Sequence, residues 1–241
     1  MALDMAFDHT SYDAGGGCLH GTELASFGIM EYTVGTMGVA YIYYSTFGQL
    51  LFMITQGHLT GVVLAGGRSS RFGSDKAMEK IGKETFLQHT VALLRPLCAE
   101  VIISGNKERY AVPGCRLVKD EYEDCGPLGG IHAALKSCRT AYALFLTCDM
   151  PLMETAPLYQ MISELPASVV GWKSHQEKGG IFPLLVSTDL ADEVEQALVT
   201  GNHSIRHSLY VQEGARMLEI PDKWTSCFTN INRRDDLKAL Y

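Results

Sequence analysis

The stretch from Gly61 to Lys76, GVVLAGGRSSRFGSDK, constrains this chain more than any other. Gly61-Val62-Val63-Leu64-Ala65 is a short apolar, β-branched run that reads as a buried strand, and it breaks at Gly66-Gly67 into a polar segment carrying Arg68, Arg71 and Lys76. A strand feeding a glycine-rich loop invites phosphate, because adjacent glycines let main-chain N–H groups approach phosphate oxygens while basic side chains supply charge. The spacing excludes two familiar loops. Gly67 is followed by Gly73 and then Ser74-Asp75 before Lys76, which is not Gly-x-x-x-x-Gly-Lys-Ser/Thr, and no Gly-x-Gly-x-x-Gly fingerprint is present.

From Gly61 onward apolar periodicities alternate between strand and helix. Thr85 predicts a cap for a helix with Phe86, Leu87, Val91, Leu94 and Leu97 on one face, and Glu100–Ser104 (EVIIS) predicts a strand. Further strands are expected at Leu117–Lys119, Tyr142–Cys148, Ala167–Trp172, Ile181–Val186 and Arg216–Ile220. Helices are expected at Pro127–Cys138, Thr155–Leu165, Thr188–Val199, Ser204–Gln212 and Arg234–Leu240. Such alternation predicts an α/β fold with a mostly parallel sheet between helical layers, where ligands bind beyond the carboxyl ends of the strands. Gly66, Asn106, Asp120 and Asp149 all fall at such ends.

Leu64-Ala65-Gly66-Gly67, Arg71, Gly73, Asp75 and Lys76 resemble the loop of nucleotidyltransferases that join a nucleoside triphosphate to a phosphorylated acceptor. The Leu-Ala-Gly-Gly form is most similar to the molybdenum cofactor guanylyltransferases, whereas related cytidylyltransferases more often carry Leu-Ala-Ala-Gly. The resemblance covers about residues 60–241 and implies a Rossmann-like three-layer α/β/α fold. It also implies a Mg²⁺-dependent enzyme that transfers GMP from GTP to the phosphate of molybdopterin with release of pyrophosphate. In such a reaction the acceptor phosphate is already ionised, so charge neutralisation and positioning carry the catalysis.

By this resemblance Leu64, Ala65, Gly66 and Gly67 would hold the triphosphate, Lys76 would sit against the phosphates, and Arg71 would hold the leaving pyrophosphate. Asn106 and Asp120 align with nucleotide-binding positions, and an amide beside a carboxylate can supply the donor and acceptor a purine needs. Each is otherwise a common turn residue. Asp149, directly after an apolar strand and before Met150-Pro151, resembles the Asp-x-Pro metal motif and is the Mg²⁺ candidate, Mg²⁺ commonly taking one or two protein carboxylates plus phosphate oxygens. Gly126–Gly130 reads equally as a loop approaching the ligand and as a tight entry to a helix with Pro127 first. Asn230 and Asn232 resemble an Asn-x-Asn pair that contacts acceptor or metal, and Asn232 is equally well placed as a helix N-cap. Two positions depart from the pattern: Phe72 replaces the usual Met, and Arg233-Arg234 replaces the usual Thr-Pro. The rival readings are the same chemistry with CTP or another phosphorylated acceptor, and a nucleotide-binding accessory subunit without turnover.

Composition narrows the partners. A net charge of −7 argues against a general nucleic-acid surface while leaving the basic loop free to hold a small anion. Seven cysteines without a Cys-x-x-Cys pair, and no positive n-region of a signal peptide, read as a reducing cytoplasm. His203 and His207, four apart, read as surface histidines. Transient contacts with cofactor-delivery and molybdoenzyme-maturation proteins are implied by the resemblance alone.

Residues 1–57 differ in kind. They hold five acids and no Lys or Arg, so without them the net charge moves from −7 to −2. Their charge-free run Val34–Ile54 is long enough to span a bilayer, but its Gly, Thr, Ser and Gln residues and its lack of flanking basic residues favour a flexible or weakly folded extension. Two parts are expected: an extension over 1–57, with Met53 as a candidate natural start, and a catalytic domain over 58–241.

Overall fold

The structure, a computed structural model, describes residues 29–33, 39–43, 56–66, 75–122, 124–173, 182–232 and 235–236, with only the backbone described for the first two segments and Gln56. Arg71, Gly67 and Met53 lie outside the described residues, as do Arg68, Phe72, Gly73, Arg233 and Arg234.

Two N-terminal strands, β1 (Ile29–Thr33) and β2 (Val39–Tyr43), pair antiparallel with Ile29 opposite Tyr43. The second lies inside the charge-free run, so that part of the run is strand. Alternating β-branched and aromatic residues in VAYIY suit a pleated strand. No helix among the described residues is long and apolar enough to cross a membrane.

The remaining elements are β3 (Leu59–Leu64), β4 (Lys80–Ile81), β5 (Glu84–Thr85), α1 (Phe86–Leu94), β6 (Glu100–Ser104), β7 (Cys115–Val118), α2 (Pro127–Ser137), β8 (Tyr142–Thr147), α3 (Thr155–Ile162), β9 (Val169–Lys173), β10 (Leu184–Ser187), α4 (Ala191–Val199), α5 (Ile205–Ser208) and β11 (Arg216–Glu219). Seven strands form one sheet in the order β11-β9-β10-β8-β3-β6-β7. β3, β6, β7 and β8 run parallel, as do β9 and β11, and only β10 is antiparallel to both neighbours. The chain leaves β3 towards β6 and β7, then crosses to β8 on the other side, so the order reverses between β3 and β8. The carboxyl ends of strands at such a reversal leave a crevice for ligand.

Strand alternation builds a core on each face of the sheet. Leu59, Val63, Val101, Ile103, Leu144 and Leu146 pack on the side of α1 and α3, while Val62, Leu64, Ile102, Ala143 and Phe145 pack on the side of α2 and α4. Helix α1 begins where expected: Thr85 Oγ1 accepts from Gln88 N at 3.1 Å and Gln88 Oε1 accepts from Thr85 N at 2.9 Å, a reciprocal capping box. The helix expected over Ser204–Gln212 is only Ile205–Ser208. Gln212 Nε2 bonds Ser208 O at 2.8 Å, taking the carbonyl its own backbone would have used, and Gln212 N turns to Leu209 O. Thr188–Val199 opens with a 3₁₀ turn before α4, Ser187 Oγ accepting from Asp189 N.

Candidate active site

A cavity of about 610 Å³ opens at the carboxyl ends of β3, β6 and β8, at the reversal of strand order. Leu64, Ala65, Gly66, Lys76, Asn106, Asp120 and Asp149 line it, so seven of the sequence candidates meet in one space although they span eighty-six positions from first to last.

Its floor is apolar and rigid. Leu64 and Ala65 are buried, and Ala65 N extends the ladder by bonding Ser104 O at 2.9 Å. At one end stands a charged pair: Lys76 Nζ donates to Asp149 Oδ2 at 3.1 Å and to Asn232 Oδ1 at 3.1 Å. The ammonium and carboxylate are mostly shielded, with side chains 15% and 22% exposed. Thr147 donates its hydroxyl to Asp149 Oδ1, and Ile231 N bonds Asp149 O at 2.8 Å. The second bond draws the Asn230–Asn232 segment onto the end of β8. Asn232 lies beside the charged pair: its side-chain oxygen accepts from Lys76, and its N–H goes to Asp236 Oδ2 at 2.9 Å. Asn230 Oδ1 is buried and has no hydrogen-bond partner among the described residues, an acceptor whose desolvation is uncompensated until something donates to it.

At the other end stands an amide and carboxylate pair. Asn106 Oδ1 accepts from Asp120 N at 3.0 Å, and Asp120 Oδ1 accepts from Ser104 Oγ at 2.9 Å. Because a backbone N–H can only donate, the bond at Asp120 fixes which atom of Asn106 is oxygen and leaves its NH₂ as a donor. Burial pushes the Asp120 carboxyl up from its ordinary range, and the Ser104 hydrogen bond offsets that only in part. Between Asp120 and α2 the backbone is forced into unusual angles, Asp124 at φ 56° and Gly126 at φ 63°, ψ −153°. The Gly126 conformation is open essentially to glycine alone. Pro127 is the first residue of α2, as the helix-entry reading expects, and Gly126, Pro127 and Gly130 also line the cavity.

Four residues that sequence reasoning gave no role complete the lining or brace it. Ser104 and Thr147, each the last residue of a strand, hold the two acids. A polar residue closing an apolar strand was the available signal. Lys107 and Tyr110 both engage Asp75, and nothing in their local sequence points thirty residues back. Cys148 is buried, its thiol pushed up by burial, and its sulfur lies 3.8 Å from Leu64 O, which suits packing rather than reactivity. His203 and His207 are exposed.

The MobA-like NTP transferase domain matches residues 61–216. A molybdenum cofactor guanylyltransferase of Serratia proteamaculans is 31% identical over 182 residues, covering 74% of this chain and 91% of that protein. One from Syntrophotalea carbinolica is 34% identical over 188 residues, covering 74% and 89%. Among solved structures, molybdopterin-guanine dinucleotide biosynthesis protein A from Archaeoglobus fulgidus superposes with a TM-score of 0.62 over 75% of this chain and 95% of that one at 21% identity, a likeness of fold. The domain match over residues 61–216 and the relatives covered over about nine-tenths of their length have one consistent interpretation: the chain is a nucleotidyltransferase belonging to the MobA-like NTP transferase family, among the molybdenum cofactor guanylyltransferases.

Proposed function

We propose that this chain transfers GMP from GTP to the terminal phosphate of molybdopterin, releasing pyrophosphate and forming the guanine dinucleotide of the cofactor. The observation that carries the reading is the polarity of the cavity, with a base-reading pair at one end and a phosphate-reading pair at the other.

Guanine offers O6 as acceptor beside N1–H and N2–H donors. The Asn106 NH₂ suits the acceptor, and the Asp120 carboxylate suits the two adjacent donors, whereas the corresponding edge of cytosine carries a single amino donor. Leu64, Ala65, Gly66 and, from outside the described residues, Gly67 provide the triphosphate's cradle, with Lys76 and Arg71 as its cations. Lys76 also answers the charge that builds as the α-phosphate passes from pyrophosphate to the acceptor. Asn232, already bonded to Lys76, and Asn230, with its uncompensated buried oxygen, would meet the acceptor.

The donor set fits Mg²⁺. Asp149 offers one carboxylate at the cavity edge, and among the described residues no three His, Cys, Asp or Glu side chains gather as a closed metal cage. That matches an ion which takes few protein ligands and completes its shell with phosphate oxygens and water. Bound there, Mg²⁺ would neutralise the triphosphate and stabilise the departing pyrophosphate.

The test is pyrophosphate release with Mg²⁺ and purified molybdopterin, comparing GTP, CTP, ATP and UTP at equal concentration, with Asp149→Asn as blank. Release with GTP alone is the expected result. Release with CTP in preference would keep the chemistry and replace the base assignment; release with none would overturn the reading.

A further inference from the structure

Lys76 is held from both sides in sequence. Ala77, the next residue, is buried in the core. Asp75, the residue before, opens the 3₁₀ turn Lys76–Met78 by accepting from Met78 N at 3.0 Å, and its side chain is 11% exposed. That carboxylate is gripped from another element. Tyr110 OH lies 2.8 and 3.0 Å from its two oxygens, Lys107 Nζ lies 2.8 Å away, and the Arg109 guanidinium also reaches it. Burial pushes the Asp75 carboxyl up, but its hydrogen bonds from Lys107, Tyr110 and Arg109 outweigh this and hold it below the ordinary range.

The three partners are not equivalent. Lys107 and Arg109 are about half exposed, 46% and 53%, so water screens their attraction, whereas Tyr110 is fully buried. The Tyr110 ring is seated against Gly105, where an added Cβ would lie 2.8 Å from Tyr110 Cδ2. Gly105 immediately precedes Asn106 and carries the sheet one step further, bonding Val118 O at 2.9 Å. A continuous chain of rigid contacts thus runs from Asn106 through Gly105, Tyr110 and Asp75 to Lys76, joining the base-reading end of the cavity to its phosphate-reading end.

We propose that Tyr110 is a positioning residue: its hydroxyl, through Asp75, sets the Lys76 ammonium at the triphosphate end and keeps it in register with Asn106. The inference rests on the nucleotide-binding reading above and extends it to Asp75 and Tyr110 in the cavity wall, whose part is to hold Lys76. The physical case is that the long lysine side chain has many rotamers, so fixing its backbone on both sides reduces what must be ordered when the nucleotide arrives. Position errors of about 1 Å near a reacting phosphate are costly.

Tyr110→Phe keeps the buried ring and removes only the hydroxyl, while Asp75 retains Lys107 and Arg109, so the fold should stand and its melting temperature should confirm that. Affinity for MgGTP is then measured by calorimetry for wild type, Tyr110→Phe, Lys76→Ala and the double variant. Tyr110→Phe is expected to weaken binding about fivefold, and the double variant to lie within about twofold of Lys76→Ala alone, since a residue acting through Lys76 has nothing left to act on. Asp75→Ala closes the same cycle from the other side: adding Tyr110→Phe to it should cost no further affinity. Multiplicative losses in either cycle, or wild-type affinity in Tyr110→Phe, would overturn the positioning role. A wild-type protein that prefers MgCTP would sink the guanine reading while leaving both cycles readable with that nucleotide; one that binds no nucleoside triphosphate would overturn both proposals.

Discussion

At the scale of single residues, two carboxylates of the cavity stand in different surroundings. Asp149 sits beside the Lys76 ammonium and a threonine hydroxyl. Its proposed role as metal ligand predicts that Asp149→Asn keeps the fold and much of the GTP binding while transfer falls about 10²-fold or more, because one charge of a cation's ligand set is gone. Single-turnover measurement of pyrophosphate release checks this, and near-wild-type turnover removes the assignment. Asp120 instead has a raised pKa, through burial only partly offset by Ser104. A carboxyl raised above its unfolded value favours the fold when protonated, and that contribution is lost as pH rises from the ordinary carboxylate range through the raised value. At neutral pH the half-buried charge therefore costs stability. Asp120→Asn should raise the melting temperature of the unliganded protein by a few degrees at pH 7, with the gain closing as pH falls below the ordinary range. The same change should weaken GTP about 10- to 100-fold, since charge-assisted bonds to the base are lost. A variant neither more stable nor weaker in binding would contradict both halves of the argument.

At the scale of elements, the loop between β7 and α2 shapes the end of the cavity proposed to read the base. An added Cβ at Gly129 would lie 2.7 Å from Tyr122 O, and one at Gly130 would lie 2.6 Å from Ser104 Oγ, so α2 docks against the Asp120 loop by having no side chains there. Gly126 adds a backbone angle closed to other residues. Gly126→Ala is accordingly expected to destabilise the protein by about 1–3 kcal/mol and to weaken GTP more than it affects the unliganded core, as read by denaturant unfolding with and without nucleotide. A neutral result would mean that this loop relaxes freely. The strands and helices around it were legible because their apolar periodicity is local: EVIIS is strand over the expected residues, and Phe86, Leu87, Val91 and Leu94 are buried on one face of α1. Ser204–Gln212 was overextended because the competing bond from the Gln212 side chain leaves no trace in a hydrophobic pattern.

At the scale of the whole molecule, the described residues of the two cores, of the seven-stranded sheet and of the cavity wall all lie beyond Gln56. We therefore propose that residues 58–241 form the catalytic domain and that the preceding segment is separable from it. A chain beginning at Met53 should keep its melting temperature and its turnover within about twofold, as expected when every described core residue is retained. Loss of folding in that variant would assign the β1 and β2 pair a structural part. The strand, the glycine loop and the alternation that makes a mostly parallel sheet are written in residues close together along the chain, whereas Asn106 and Asp120 became candidates only through the family resemblance that this loop carries. Only the tertiary structure decided that β10 runs against its neighbours, that Lys76 meets Asn232, and that Tyr110 grips Asp75. Those contacts join segments up to 156 positions apart, and no local pattern records which distant partner will satisfy a buried charge or hydroxyl.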